Sequence, residues 1–265
     1  MKRSGAILAL ALAAGPALAQ GQDGGATGSQ ANLIFGVAGT FTTSSSLWAV
    51  PNQPLQFPGA AFADTLDLTR VIDGGLGLMF YGMYFPKKSF GLSGEVFFLG
   101  TNYEDECRLA SATGDPGTIA TCLDIDSNSR STATVMATVG GVLRLSPRGT
   151  ISPYLRAAGG IAIINRSSVA MSGQTTSGAV VIYSDDETRS VSPAAVLGLG
   201  FTARSKRGGY QLRLEIRDNI IGYDAVTSAT FRAGIRPPTE VHYKHLFTFL
   251  IGFDVVLEKS RGRRY

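Results

Sequence analysis

The segment from Val241 to Glu258 separates into two faces when every second residue is compared. A period of two predicts a β-strand, and this one is far longer than the usual length of about 5–6 residues. A long strand with one apolar face is typical of strands that cross a bilayer at a tilt. The apolar face holds Val241, Tyr243, His245, Phe247, Phe249, Ile251, Phe253, Val255 and Leu257. The mixed, polar face holds His242, Lys244, Leu246, Thr248, Leu250, Gly252, Asp254 and Glu258.

Seven further segments alternate in the same way, which predicts eight strands: 32–43, 73–85, 90–103, 131–145, 151–166, 189–203, 210–223 and 241–258. Three connections are short and rich in Gly, Pro or Ser: 86–89, 146–150 and 204–209. Four are long: 44–72, 104–130, 167–188 and 224–240. Short turns at one rim and long loops at the other are the layout of an outer-membrane barrel, whose short turns face the periplasm. The sequence therefore predicts an all-β fold over residues 32–258, an eight-stranded antiparallel up-and-down transmembrane β-barrel.

The composition agrees with a membrane barrel better than with a soluble globule. Charged residues make up only 17% of the chain, and no run of about 18 apolar residues follows residue 19. The alternative is a soluble lipocalin-type or sandwich protein, in which the apolar faces would point inward. The net charge of +4 falls to +2 without Lys2 and Arg3, so the charge gives no argument for nucleic-acid binding.

The first residues have the layout of a secretory signal peptide. Two basic residues precede an apolar stretch from Ala6 to Leu18, and small residues stand at Ala17 and Ala19. The apolar stretch is too short for a transmembrane anchor. We therefore expect a signal peptide at 1–19, a flexible periplasmic lead-in at 20–31 and a basic periplasmic tail at 259–265.

With the apolar faces set toward lipid, nine charged residues point into the lumen: Glu95, Arg144, Arg156, Arg213, Glu215, Arg217, Lys244, Asp254 and Glu258. An eight-stranded barrel is only wide enough for side chains to fill, so these charges must pair or meet water. The first hypothesis is a polar network that plugs the barrel. The second is a narrow polar path or a small-solute pocket in which Arg213 and Arg217 favour anions.

The chain resembles the small outer-membrane β-barrel proteins of Gram-negative bacteria, the OmpA/OmpX-like superfamily. The resemblance rests on the signal peptide, the alternation, the loop rhythm, and strands such as 153–160 and 212–218. It implies location in the cell outer membrane, with outer-membrane lipid, lipopolysaccharide and the barrel assembly machinery as partners. The sequence differs at its end, because Tyr265 follows a basic tail instead of alternating apolar residues.

Cys107 and Cys122 lie in the second long loop, where an exported protein can join them in a structural disulfide. Acidic residues in the long loops could bind calcium or cations that bridge lipopolysaccharide. They are Glu104, Asp105, Asp115, Asp124, Asp126, Asp185, Asp186 and Glu187. Because the spacing of a calcium loop is missing, we expect solvated charge and no metal site. Trp48, the single tryptophan, is predicted to mark the outer interface.

The sequence offers no catalytic or cofactor-binding residues, and we expect no enzyme and no cofactor. A hydrolase would need a Ser/His/acid set, but His242 and His245 fall on opposite faces. The His-x-Ser pairing of outer-membrane deacylases is absent as well. The predicted role is therefore structural, or a surface interaction in which the long loops contact an extracellular ligand. A narrow pore or small-solute-binding barrel is the alternative, and a lipid-modifying enzyme is the third class.

Overall fold

The structure is a computed structural model. It describes residues 32–57, 63–111, 115–147, 149–175, 178–185, 190–205, 209–232 and 234–258. The predicted signal peptide at 1–19, lead-in at 20–31 and tail at 259–265 lie outside these described residues.

Twelve strands and one helix make up the described fold. The strands are β1 (Asn32–Thr42), β2 (Ser45–Leu55), β3 (Asp64–Asp73), β4 (Leu76–Phe85), β5 (Phe90–Ser111), β6 (Ser129–Arg144), β7 (Ile151–Ile164), β8 (Met171–Thr175), β9 (Gly178–Tyr183), β10 (Ser190–Arg204), β11 (Tyr210–Val226) and β12 (Thr239–Glu258). The helix is α1 (Pro116–Ser127). Among the described residues, no helix is long and apolar enough to span a bilayer.

Eight of the strands close into a ring in the order β1, β4, β5, β6, β7, β10, β11, β12 and back to β1. Every neighbouring pair in this ring is antiparallel. The ring closes because β1 pairs with β12 from Asn32 opposite Glu258 to Thr42 opposite Thr248. Closure pairs both edges of the sheet, so the ring has no free edge strand. The predicted eight-stranded barrel is confirmed, and the eight ring strands are the eight predicted from alternation.

The alternation of the sequence becomes an inner and an outer wall. Inward residues of β12 such as Leu246, Thr248 and Asp254 are fully buried, while their neighbours Phe249 and Ile251 are exposed. The same contrast holds around the ring, which gives the barrel an apolar outer belt. Side chains this large and apolar are stable on an outer surface when lipid covers them. The predicted orientation of the faces is therefore the one that the structure has.

Three of the four long connections differ from the prediction, because they contain regular structure. The first forms the β2–β3 hairpin, and the second holds α1 on an extension of β5 that reaches Ser111. The third forms the β8–β9 hairpin. β3 also pairs with the extension of β5 from Thr65 to Asp73, so the barrel wall continues above the ring. We call these connections, together with 227–238, the extracellular cap.

Helix α1 is short, is capped at its N-terminus and is joined to β5 by a disulfide near its middle. Asp115 caps the helix by accepting a hydrogen bond from the Thr118 backbone, and Pro116 occupies the first turn. A disulfide joins Cys122 in the helix to Cys107 in β5, as the cysteine positions suggested. The helix is therefore fastened to the extended strand on which it lies.

Candidate functional site in the barrel lumen

The lumen contains a cluster of ion pairs centred on Glu95 of β5. One carboxylate oxygen of Glu95 lies 3.0 Å from Nη1 of Arg217, and the other lies 2.7 Å from Nη2 of Arg156. Thr138 donates a further hydrogen bond to Glu95 at 2.8 Å. These three partners come from β11, β7 and β6, so Glu95 connects four strands across the lumen. The side chains of Glu95, Arg156 and Arg217 are at most 1% exposed.

The cluster continues along β11 to Asp254 of β12. Arg217 Nε lies 3.3 Å from Glu215, and Nη1 of Arg213 lies 3.9 Å from the same carboxylate group. Nη2 of Arg213 is 3.0 Å from Asp254. Positive and negative groups therefore alternate, and each buried carboxylate faces at least one guanidinium group. Such pairing is what allows charges to stay buried, because an unpaired charge would carry a large desolvation cost.

Two tyrosines enclose the Arg213 guanidinium. Its central carbon lies 4.9 Å from the ring centre of Tyr81 and 4.8 Å from that of Tyr154. The Tyr154 hydroxyl donates to Glu215 at 2.6 Å, and the Tyr81 hydroxyl donates to Asp254. The tyrosine rings thus contact the guanidinium group, and the tyrosine hydroxyl groups donate hydrogen bonds to the carboxylates.

Glycine provides the space for this arrangement. A Cβ atom on Gly36 of β1 would overlap both the Tyr81 ring and the Asp254 carboxylate. Gly39 also lies on β1, but a Cβ there would meet no atom within 4 Å. On β1, the inward position 36 therefore has room only for glycine, whereas the outward position 39 has room for a side chain.

The structure places the nine predicted lumen residues in different settings. Six of them form the cluster: Glu95, Arg156, Arg213, Glu215, Arg217 and Asp254. Arg144 is buried at the periplasmic end, where it stacks on Phe85. Lys244 is partly exposed near the extracellular end of β12, and the side chain of Glu258 lies outside the described residues.

Buried hydroxyl groups line the lumen above the cluster. Thr42 and Thr248 share a hydrogen bond of 2.8 Å, and Asn219 donates to Thr248 at 2.7 Å. Other hydroxyl groups are buried with no hydrogen-bond partner: those of Thr40, Thr101, Thr132 and Thr134. Polar groups in such positions are commonly satisfied by internal water. The threonines were visible on the polar faces of the sequence, but alternation alone did not mark them as a group.

Arg70 of β3 is the centre of the extracellular cap, and the sequence analysis missed it. Its guanidinium pairs with both oxygens of Asp105, and it donates to the backbone oxygens of Ser168 at 3.0 Å and Ala170 at 2.7 Å. The rings of Trp48 and Tyr103 lie 5.4 and 5.5 Å from it. Arg70 lay in a segment predicted to be an irregular loop, so no face could be assigned to it.

Gln53 of β2 connects the first loop to the third and the fourth. It accepts a hydrogen bond of 2.7 Å from the Tyr183 hydroxyl and exchanges two with the Thr230 backbone. Burial raises the pKa of Tyr183. Trp48 donates to the Ser168 carbonyl at 2.8 Å and is buried. The prediction that Trp48 marks the outer interface is therefore wrong, because its ring packs inside the cap.

The acidic residues of the loops are engaged in local structure. Asp105 pairs with Arg70, and Asp115 caps α1. Asp124 accepts from the Gln174 backbone at 2.8 Å, and Asp185 accepts from Ser167. Within the described ranges, no group of His, Cys, Asp or Glu is arranged to hold a metal ion. Asp186 and Glu187 lie outside those ranges.

The two histidines lie near the extracellular end of β12. His245 Nδ1 is 2.6 Å from Asp218, and His242 Nε2 is 3.9 Å from Glu240. Both histidines are exposed. They contact acidic residues individually and are not brought together with a serine.

The comparisons with known proteins agree with this geometry. No protein-family model matches the chain, and no curated protein matches it. The outer membrane protein OprG from Pseudomonas aeruginosa is similar in structure, with a TM-score of 0.51 at 11% identity over 87% of this chain and 98% of OprG. The chain has the fold of a small outer-membrane β-barrel protein. Neisserial surface protein A also matches, with a TM-score of 0.40 at 11% identity over 86% of this chain and 99% of that protein.

The barrel fold and the apolar belt together place the protein in the outer membrane. The resemblance to small outer-membrane barrels that the sequence suggested is confirmed at the level of the fold. The short turns after β4, β6 and β10 then face the periplasm, and the cap faces outward.

Proposed function

We propose that this protein is a closed outer-membrane barrel that acts through its extracellular cap, in a structural or surface-interaction role. The observation that carries the proposal is the ion-pair cluster from Glu95 to Asp254, whose side chains are 0–2% exposed. We infer that a lumen filled in this way is closed to diffusion. The function then belongs to the surface that the barrel presents.

The packing of the cap supports this role. Arg70, Gln53 and the disulfide connect the four loops, so the described part of the cap is held together at several points. A pre-organised surface loses less conformational entropy on binding than flexible loops do. Phe231, in the connection between β11 and β12, is 97% exposed, and Leu123 of α1 is also exposed. Large apolar side chains displayed in this way are candidates for contact with an extracellular ligand.

The proposed partners follow from the same surfaces. Outer-membrane lipid and lipopolysaccharide would cover the apolar belt, and the barrel assembly machinery would insert the chain. We also propose that the protein is not an enzyme. Overexpression should then leave the mass spectrum of lipid A unchanged, and a new lipid A species would contradict this part of the proposal.

Conductance in planar bilayers tests the closed barrel. The purified wild-type protein should insert without producing current steps, because the ion pairs occupy the lumen. Insertion is checked separately by the different gel mobility of unheated and boiled samples. Regular current steps from folded wild-type protein would contradict the proposal.

A narrow, gated pore is the second candidate, supported by the buried hydroxyl groups of Thr40, Thr101 and Thr134 above the cluster. Glu95→Gln removes the charge that holds Arg156 and Arg217 and should loosen the plug if a path exists. Current steps from Glu95→Gln, lost again on charge reversal at Arg217, would favour this candidate. Glu106→Gln, an exposed residue of β5, is the matched control. Silence from both variants would favour the permanent plug.

A further inference from the structure

Arg144 occupies the periplasmic end of the lumen. It is the last residue of β6, and its backbone N–H donates to the Ser89 carbonyl at 2.7 Å, in the turn between β4 and β5. Its side chain is on the inward face and the residue is only 6% exposed. Arg144 therefore lies inside the barrel, at the level of the short periplasmic turns.

The Arg144 side chain is held in place by an aromatic ring. Its guanidinium carbon lies 3.7 Å from the ring centre of Phe85, the last residue of β4. The ring lies close against Gly91 of β5, where a Cβ atom would overlap it. A cation above a ring face is attracted to it, but the edge of the guanidinium keeps its N–H groups available for hydrogen bonds.

The described residues supply no carboxylate that pairs with Arg144. Among the described residues, none places a carboxylate within ion-pair distance of it, and its Nη2 is buried without a hydrogen-bond partner. Arg213 and Arg204, which are also cations, lie near enough to act on its charge. Asp254 acts on it as well, but Asp254 already pairs with Arg213.

Arg213 contributes a second buried donor. Its Nη1 has no hydrogen-bond partner and lies 3.9 Å from Glu215, while its other nitrogens reach Asp254. Two guanidinium groups thus have buried N–H donors unused in the periplasmic half of the lumen. A buried cation with no counter-charge is strongly destabilising, so an anion bound beside Arg144 would stabilise the folded barrel.

We propose that the periplasmic half of the lumen is a binding site for a small oxyanion such as phosphate, held by Arg144 with help from Arg213. Guanidinium groups present planar, forked donors that match the oxygens of phosphate. The ligand enters from the periplasmic side, below the ion-pair cluster. The site is independent of the extracellular cap and goes beyond the proposed surface role.

Thermal unfolding in a non-ionic detergent, followed by the gel mobility of unheated samples, tests the site. Sodium phosphate replaces sodium chloride at constant ionic strength and pH. A ligand that binds only the folded state raises the unfolding midpoint in a saturable way, and we expect a rise of at least about 3 °C. No rise over chloride would overturn the proposal. A rise with a short-chain phospholipid but none with inorganic phosphate would overturn it too, because the ligand would be a lipid headgroup.

Arg144→Met keeps an unbranched stem over Phe85 and removes the guanidinium. The phosphate-dependent rise should disappear in this variant, while its midpoint in chloride stays at or above that of the wild type. Arg108→Met, on the exposed face of β5, is the control and should keep the full rise. A rise retained in Arg144→Met, or lost in Arg108→Met, would refute the assignment.

A second measurement needs no variant. The ³¹P resonance of inorganic phosphate should broaden when wild-type protein is added, and sulfate should reverse the broadening. A linewidth equal to that in detergent alone would overturn the proposal even if Arg144→Met does not fold.

Discussion

At the scale of residues, the lumen is organised by charge pairing and by the space that glycine leaves. Tyr81 of β4 reaches Asp254 of β12 by passing over Gly36 of β1, the strand between them. No side chain larger than hydrogen fits at that point. The ion pairs beyond it depend on Asp254 staying in position, so a glycine on one strand supports contacts made by others.

Substitution at Gly36 tests this dependence. Gly36→Ala should lower the free energy of unfolding by about 1–3 kcal/mol, because the new methyl group must displace Tyr81 or Asp254. Gly39→Ala, three residues along β1 and on the outer wall, meets no atom within 4 Å and should be close to neutral. Urea titration of both variants in lipid vesicles gives the comparison. Equal stability of the two variants would show that the contact across Gly36 does not constrain the lumen.

At the scale of elements, the cap behaves as an extension of the barrel wall. β5 runs for 22 residues, pairing first with β4 inside the ring and then with β3 above it. The disulfide between Cys107 and Cys122 closes a segment with a separation of 15 residues. It fastens α1 to the upper half of β5, so it should stabilise the cap without affecting the ring.

Reduction of the disulfide tests whether the cap can lose stability while the ring stays folded. Closing a loop of this length is worth about 3 kcal/mol in the chain-entropy description, and this stabilisation should be lost locally. Trypsin should then cleave near Arg108 or Arg130 much faster in reduced than in oxidised protein, while the mobility shift of the folded barrel remains. The double variant Cys107→Ser with Cys122→Ser should be cleaved at the same rate with and without reductant. Loss of the gel-mobility shift of the folded barrel on reduction would show that the disulfide also stabilises the ring.

At the scale of the whole molecule, one apolar belt and one charged interior define how the protein sits in a membrane. The outward residues of the ring strands are mostly apolar, and most charges lie inside the barrel or in the cap. The pair of Asp218 and His245 on the outward face, toward the extracellular end, is an exception. This is the reverse of a soluble barrel, whose apolar residues fill the interior. The lipid around the belt is therefore part of what stabilises the fold.

Arginine substitutions along β12 measure the depth of the belt. Phe249→Arg, near the middle of the strand, should cost about 2–4 kcal/mol of folding stability in vesicles, whereas Tyr243→Arg near the outer interface should cost about 0–1 kcal/mol. Both residues are exposed on the same face of the same strand. Urea titration with the gel mobility shift as the signal compares them. A similar loss of folding stability at both positions would show that Phe249 does not lie at the centre of the bilayer.

Some features follow from the sequence alone. Alternation with a period of two is a local property, so it identified the eight ring strands, their lipid faces and the charges that point inward. It failed between residues 44 and 72, which were predicted to be a loop. In β2, Pro51, Pro54 and two irregularities in the β2–β3 register break the period, whereas β3 alternates strictly over a short stretch. The cap hairpin and Arg70 were therefore missed, and Trp48 was assigned to the wrong surface.

The partners of the lumen charges were decided only by the tertiary structure. Closure of the ring sets which strands face each other across the lumen, and no period along the chain contains that information. Alternation placed Arg144, Arg213 and Arg217 on inward faces, and the second hypothesis was a polar path or pocket in which Arg213 and Arg217 favour anions. In the closed barrel Arg217 faces Glu95 and Glu215, while Arg144 is buried without a carboxylate among the described residues. The sequence thus determined which charges enter the barrel, and the three-dimensional closure determined which of them remain unpaired.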